Sequence, residues 1–148
     1  MAFQHGGNSW YDDEIRCIFE ALPDKVFVVD ADGTIIKHHT NRPEHLLALP
    51  EDFLGKKLVD FLAPGVANRL MRSIAAALSS DAPQELAFKA TVVSGEERDF
   101  DARIVPCESA KVLILIRDMT DYMQAERERL EAEREAEHFR RKLADSGR

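Results

Sequence analysis

VLILIRDMTDYMQAERERL, residues 112–130, changes character at its midpoint. Val112, Leu113, Ile114, Leu115 and Ile116 have no polar side, which predicts a strand at the centre of a sheet with both faces covered. Arg117-Asp118-Met119-Thr120-Asp121 follows, and then a long charged stretch with helical spacing. Asp118 and Thr120 are both N-cap residue types, and Asp121 in the first turn complements the helix dipole. A helix that leaves a central strand for sequence too charged to pack as core needs a purpose outside that core.

Upstream of this stretch the pattern alternates with period two. Leu86, Phe88, Ala90 and Val92 alternate with Glu85, Lys89 and Thr91, and Phe100, Ala102 and Ile104 alternate with Asp99, Asp101 and Arg103. Each run predicts a strand with one packed and one wet face, joined across Ser94-Gly95. Lys25–Asp30 and Thr34–Lys37 read as two more strands around the turn Asp30-Ala31-Asp32-Gly33, where Gly33 takes positive φ. Before them, Ile15, Ile18, Phe19 and Leu22 follow helical spacing from about Trp10. Ser9 is the candidate cap, acidic residues 12 to 14 suit the helix start, and Pro23 ends it.

Residues 38 to 65 read as short helical pieces broken by Pro43, Pro50, Gly55 and Pro64. A longer helix from about Pro64 to Leu78 carries Leu70, Met71, Ile74 and Leu78 on one face. The order is helix, two strands, helical insert, three strands, long helix, which makes an α+β domain with an antiparallel sheet.

The chain has 148 residues, 32% charged and 45% hydrophobic, with net charge −7. One globular domain is expected, with enough residues for a core of its own. The negative balance gives no footing to nucleic acid or an anionic membrane surface. Residues 1–9 read as a disordered leader without the pattern of a secretory signal, and no run reaches the eighteen or so apolar residues of a membrane span. Cys17 and Cys107 form neither a zinc pattern nor a disulfide framework. The expected location is cytoplasmic.

Four fragments together resemble the PAS family. "VFVVDADGTII" resembles its opening hairpin, "LPEDFLGKKLVDFLAP" its middle, and "AFKATVVSGEERDFDARIVP" its paired strands. "VLILIRDMTD" is similar to its ending, an apolar strand closing in an Asp-x-Thr signature. The resemblance covers about Ile15 to Asp121. It implies a PAS-like five-stranded antiparallel sheet with short helices on one face around a small cleft, an N-terminal amphipathic helix and a long C-terminal signalling helix. The expected organisation is a leader at 1–9, a sensor domain at 10–121 and a coiled-coil signalling helix at 122–148.

The resemblance also makes Asp118 and Thr120 a relay hinge as well as a cap. Beyond them Tyr122, Ala125, Arg129, Ala132, Ala136, Phe139 and Leu143 recur at spacings of three and four, a heptad seam. Arginine at one position and alanine at three make that seam weak, so a marginal parallel coiled coil is expected. A solitary helix supported by pairs such as Glu137 and Arg141 is the alternative. Marginality suits a rod that shifts between two arrangements. Homodimerisation is expected through this seam together with Ile15, Ile18, Phe19 and Leu22.

A ligand cleft of this fold would be walled by Phe27, Val29, Phe53, Leu58, Phe61, Met71, Ile74, Phe88, Phe100, Ile104 and Ile114. His38, Arg42 and Arg103 are the candidate polar anchors. These apolar residues are first of all core residues, and a filled core is the reading preferred over a cleft.

No cofactor is identified. Haem-binding PAS relatives carry an axial His on the central helix, where GVANRLMRSIAAAL has none. Flavin-adduct and thioester-chromophore relatives need a Cys between Asn41 and Leu78, where none occurs. His38, His39 and His45 read as a polar turn. On a strand His38 and His39 would face opposite ways and could not share a metal. His138 in Ala136-Glu137-His138-Phe139-Arg140 lacks the surroundings of a phospho-accepting histidine, and no catalytic order of residues stands out.

Two functions fit. The first is a sensor and signal-relay module driving an output domain such as a kinase, a cyclic-dinucleotide enzyme or a transcription regulator. The second is a ligand-free module that only dimerises or docks a partner protein.

Overall fold

The computed structural model describes residues 13–22, 24–40 and 53–146. The chain forms two compact units, residues 1–118 and 119–148. The division of the chain falls between Asp118 and Met119, against the boundary between 121 and 122 expected from the sequence. The expected leader, Ser9, Trp10, Pro23, Arg42 and His45 lie outside the described residues.

The first unit holds α1 (Asp13–Ala21), β1 (Lys25–Asp30), β2 (Ile35–His39), a 3-10 turn at Leu58–Phe61, α2 (Pro64–Ser80), β3 (Gln84–Thr91), β4 (Glu97–Cys107) and β5 (Lys111–Asp118). The five strands make one antiparallel sheet in the order β2-β1-β5-β4-β3. The unbroken apolar run therefore is the middle strand, as the sequence demanded. Its second face is less covered than expected: Val112, Ile114 and Ile116 are buried, but Leu113 and Leu115 are only half-buried.

One face of the sheet, the inner face, carries the core. Phe27, Val29, Ile35, Leu86, Phe88, Phe100, Ala102, Ile104, Val112, Ile114 and Ile116 pack there against Phe53, Leu58, Leu70, Ile74 and Ala77. Period-two alternation delivers the strand residues to one side, and the helical period delivers Leu70, Ile74 and Ala77 from α2. Pro64 opens α2 at a position that needs no amide donor, and Asp81 closes it in the left-handed conformation at φ 51°.

The turn between β1 and β2 also fastens the segment that lies over the inner face. The Leu58 amide donates to the Gly33 carbonyl at 2.9 Å, the Ile35 amide to Lys56 at 2.8 Å and the Gly55 amide to Ile35 at 3.0 Å. Phe53 and Leu58 are thereby set over the sheet. Gly33 has φ +84°, and a Cβ there would stand 3.1 Å from the Met71 sulfur. Gly33→Ala is expected to cost about 1–2 kcal/mol, from backbone strain and the displaced Met71, read as a shift in the urea midpoint.

Two sequence readings are corrected here. β2 does not end at Lys37 in a polar turn; it runs through His38 and His39, which pair with Phe27 and Val26 of β1. β4 reaches from Glu97 to Cys107, beyond the run Asp99–Ile104 that alternation alone picked out. Among the described residues no helix is long and apolar enough to cross a membrane.

The second unit is α3, Thr120–Ser146, 27 residues and about 40 Å long. It has no buried residue. Several of its charges pair within the helix: Arg129 bridges Glu126 and Glu133, and Glu137 pairs with Arg140 and Arg141.

Candidate functional site: the cleft face and the end of the central strand

The proposed cleft walls converge on the inner face. Phe27, Val29, Phe53, Leu58, Ile74, Phe88, Phe100, Ile104 and Ile114 are all buried, with Phe61 and Met71 half-buried against them. Phe53 is the hub of the aromatic set, with ring centroids 5.3 Å from Phe27, 5.1 Å from Phe61 and 5.4 Å from His38. The first two contacts are edge-on, the arrangement the ring quadrupoles favour.

His38 joins this set because it stands opposite Phe27 on the inner side of β2. His39 points the other way and meets Phe19 of α1 at 6.0 Å. Phe19 and Leu22 are half-buried, whereas Ile15 and Ile18 are exposed. Among the described residues no group of three His, Cys, Asp or Glu is placed to hold a metal ion.

Arg103 is not an anchor of this cleft, which corrects the sequence reading. Ala102 and Ile104 on either side of it face the core, so Arg103 must face away. It pairs there with Glu85 at 3.1 Å, both side chains more than half exposed.

The inner face has different polar residues that the sequence reading missed. Lys25 is 2% exposed, with its ammonium 5.0 Å from the Phe100 ring centroid, a cation–π contact. Arg98 lies two residues before Phe100 on the same side of β4, its side chain 10% exposed. Its Nε donates to the carboxylate of Asp118, and its Nη1 donates to Glu96 at 2.8 Å. Asp118, named from the sequence as half of the hinge, is thus the last residue of β5 and is held against the sheet by Arg98. That hydrogen bond holds the Arg98 guanidinium pKa above its ordinary value, against the opposing effect of burial.

The preceding residue is held from the opposite face. Arg117 donates from Nη2 to Asp24 at 3.2 Å, and from Nε to both Asp24 oxygens at 3.4 Å. Asp24 is 1% exposed, so its carboxylate is buried against this partner. The Arg117 pKa rises in turn, first through that hydrogen bond and then through the attraction of the same carboxylate. The final two residues of the central strand are therefore gripped by ion pairs, one on each side of the sheet. Thr120 begins α3 two positions later.

On α3 the exposed large apolar residues are Tyr122, Met123, Leu130, Phe139 and Leu143. Tyr122, Phe139 and Leu143 belong to the heptad seam with Ala125, Ala132 and Ala136. Arg129 in that seam is drawn sideways by Glu126 and Glu133.

A family described as the PAS fold matches residues 19–123, well over half of the chain. The chain belongs to the PAS-fold family. The sheet order and the helix after β5 agree with that assignment. Among solved structures the PAS domain of the RpfR quorum-sensing receptor from Cronobacter turicensis, in complex with BDSF, is similar. It has 15% identity and TM-score 0.57, over 67% of this chain and 96% of that one. The same receptor domain in complex with C12:0 gives TM-score 0.58 at 15% identity, with the same coverage. A domain of a sensory box sensor histidine kinase/response regulator from Geobacter sulfurreducens has 19% identity and TM-score 0.59, over 72% of this chain and 92% of that one. No curated protein sequence matches. At these identities the solved structures speak to the fold, and this PAS domain is a sensory-type module by family.

Proposed function

We propose that this PAS domain is a sensor and signal-relay module that pairs with a second copy of itself and drives an output domain through α3. The observation that carries the reading is the double clamp on β5. Arg98 holds Asp118 on the cleft side and Asp24 holds Arg117 on the other, immediately before the helix begins. A change in the inner face that alters either pair changes how the strand end is held, and Asp118 with Thr120 forms the hinge that passes this on. The seam Tyr122, Ala125, Ala132, Ala136, Phe139 and Leu143 is the dimer contact, with Ile15, Ile18, Phe19 and Leu22 adding a second apolar surface. A weak seam permits two helix arrangements of similar energy.

The input is a small molecule held on the inner face, in keeping with the RpfR domain being in complex with C12:0. The output is a kinase, a cyclic-dinucleotide enzyme or a transcription regulator, in keeping with the sensor-kinase neighbour, and the setting is cytoplasmic. The second reading is a dimerising module with no ligand. Dense packing favours it: Phe53, Leu58, Ile74, Ile104 and Ile114 have no exposed surface.

Light scattering at micromolar concentration is expected to give a dimer that Phe139→Ala with Leu143→Ala weakens. A monomer would remove the pairing. Mass spectrometry of the denatured protein separates the readings, a co-purifying small molecule supporting the sensor and a ligand-free packed protein supporting the docking module.

A further inference from the structure

β3 ends the sheet: it pairs with β4 along its whole length, and among the described residues no strand lies on its other side. The hairpin sets its hydrogen-bonding phase. The Val92 amide donates to the Glu96 carbonyl, and the register carries that pairing to every second residue before it. Ala90, Phe88, Leu86 and Gln84 therefore turn their backbone groups to β4, and those of Glu85, Ala87, Lys89 and Thr91 point out from the edge. The Ala87 carbonyl shows this directly, since it accepts from Nη2 of Arg69 at 2.9 Å. All four outward residues are exposed.

A row of outward donors and acceptors is a template for another strand, and the order of side chains selects which strand fits. Two copies of β3 laid antiparallel must join outward residues to outward residues. Centring that pairing on Glu85 or on Lys89 sets like charges opposite each other. Centring it on Leu86 or Phe88 sets each charge opposite a neutral residue. Centring it on Ala87 sets Glu85 opposite the partner's Lys89 and Lys89 opposite the partner's Glu85, with a small residue on the axis. In the same register Leu86 stands opposite the partner's Phe88 on the inner side. We propose that the edge of β3 is an interaction surface for a second copy of this chain, paired antiparallel about Ala87 so that both sheets become one.

The charges already paired within one copy extend this match. Glu85 meets Arg103 of β4 at 3.1 Å, and Lys89 meets Asp99 of β4 at 3.9 Å. Each of these pairs stands directly opposite across β3 and β4. Joining two copies about Ala87 lines up Arg103, Glu85, the partner's Lys89 and the partner's Asp99 in one row of alternating sign, and the twofold axis repeats the row. Exposed pairs of this kind add little binding energy singly, but like charges opposite each other are penalised, so the row fixes the register. The joined residues Glu85, Ala87 and Lys89 exchange both N–H···O bonds with their opposites, which holds the strands together. Arg69 is exposed, so moving it off the Ala87 carbonyl into water costs little. This contact is separate from the α3 seam and does not depend on it.

The test follows self-association of the full chain by sedimentation equilibrium, from micromolar to millimolar, with the seam weakened by Phe139→Ala and Leu143→Ala. A reversible dimer is expected. Lys89→Glu and Glu85→Lys, each added to that chain, are expected to weaken the dimer about tenfold or more, because both cross-strand charge pairs turn repulsive. Mixing the two variant chains is expected to restore association, since every charge then meets its opposite. Ala87→Cys, with Cys17 and Cys107 changed to serine, is expected to cross-link copies rapidly on oxidation, the two Cα atoms standing about 5.5 Å apart across the axis. Thr91→Cys is expected to cross-link far more slowly, its mate lying about 27 Å along the strand. A monomer at every concentration, charge variants that associate as the parent does, or no recovery on mixing folded variants overturns the contact. Equal cross-linking at the two positions overturns the register about Ala87. Association that outlasts the seam change and follows the Glu85 and Lys89 charges supports the edge whatever becomes of the seam.

Discussion

Replacing Phe53 with alanine lowers the free energy of unfolding by about 4 kcal/mol, much of the stability of a typical domain. The ring has no exposed surface and touches Phe27, Phe61 and His38. The cavity left behind cannot close easily. The backbone beside it is pinned by the Gly55 amide on Ile35, the Ile35 amide on Lys56 and the Leu58 amide on Gly33. Leu54, the next residue, is 41% exposed, and Leu54→Ala is expected to stay within about 0.5 kcal/mol. Urea unfolding of both variants checks the contrast, with equal slopes showing that the midpoints report stability. Similar losses at the two positions would contradict the placement of this segment over the sheet.

The second large effect concerns the inner-side clamp. Arg98→Met removes the guanidinium that holds Asp118, and Asp118→Leu leaves Arg98 with Glu96 as its ion-pair partner; each change is expected to cost about 2–3 kcal/mol. The double variant removes both members of the buried pair, with only the exposed Glu96 losing its arginine, and is expected to regain most of that loss, giving a strong coupling in the cycle. Arg103→Met, which removes an exposed pair with Glu85 one strand-face away, is expected to cost no more than about 0.5 kcal/mol. Additive losses for Arg98 and Asp118 would mean that their pair does not hold the strand end.

Much of this fold was legible because apolar periodicity reports directly on burial. β1 was read to the residue, since Lys25–Asp30 is bounded by turn chemistry. The unbroken run Val112–Ile116 located the middle strand for the same reason. β2 reads short in the sequence because two histidines look like a turn, yet backbone pairing with Phe27 and Val26 carries the strand through them whatever their side chains. Leu113 and Leu115 look like core in sequence but lie on a face that the described residues only half cover.

The polar part of the site was the least legible. Arg103 reads as an anchor by its charge alone, although its neighbours Ala102 and Ile104 assign it to the outer face. The same alternation extended two residues back from Phe100 would have put Arg98 on the inner side and next to Asp118. Asp24 and Arg117 are 93 positions apart, and only the antiparallel pairing of β1 with β5 brings them together. Periodicity within a segment says which way a side chain faces. It does not say which distant charge awaits it there.

The proposed relay through Asp118 and Thr120 into paired α3 helices is tested most directly by dipolar spectroscopy. Nitroxide labels are placed at Arg134→Cys, on the side of the helix away from the seam, in a chain with Cys17 and Cys107 changed to serine. One inter-label distance distribution is expected in the parent chain, with a shift or broadening when Asp118 and Thr120 are both alanine. No dipolar coupling at micromolar concentration, or an unchanged distribution in a folded double variant, contradicts the account.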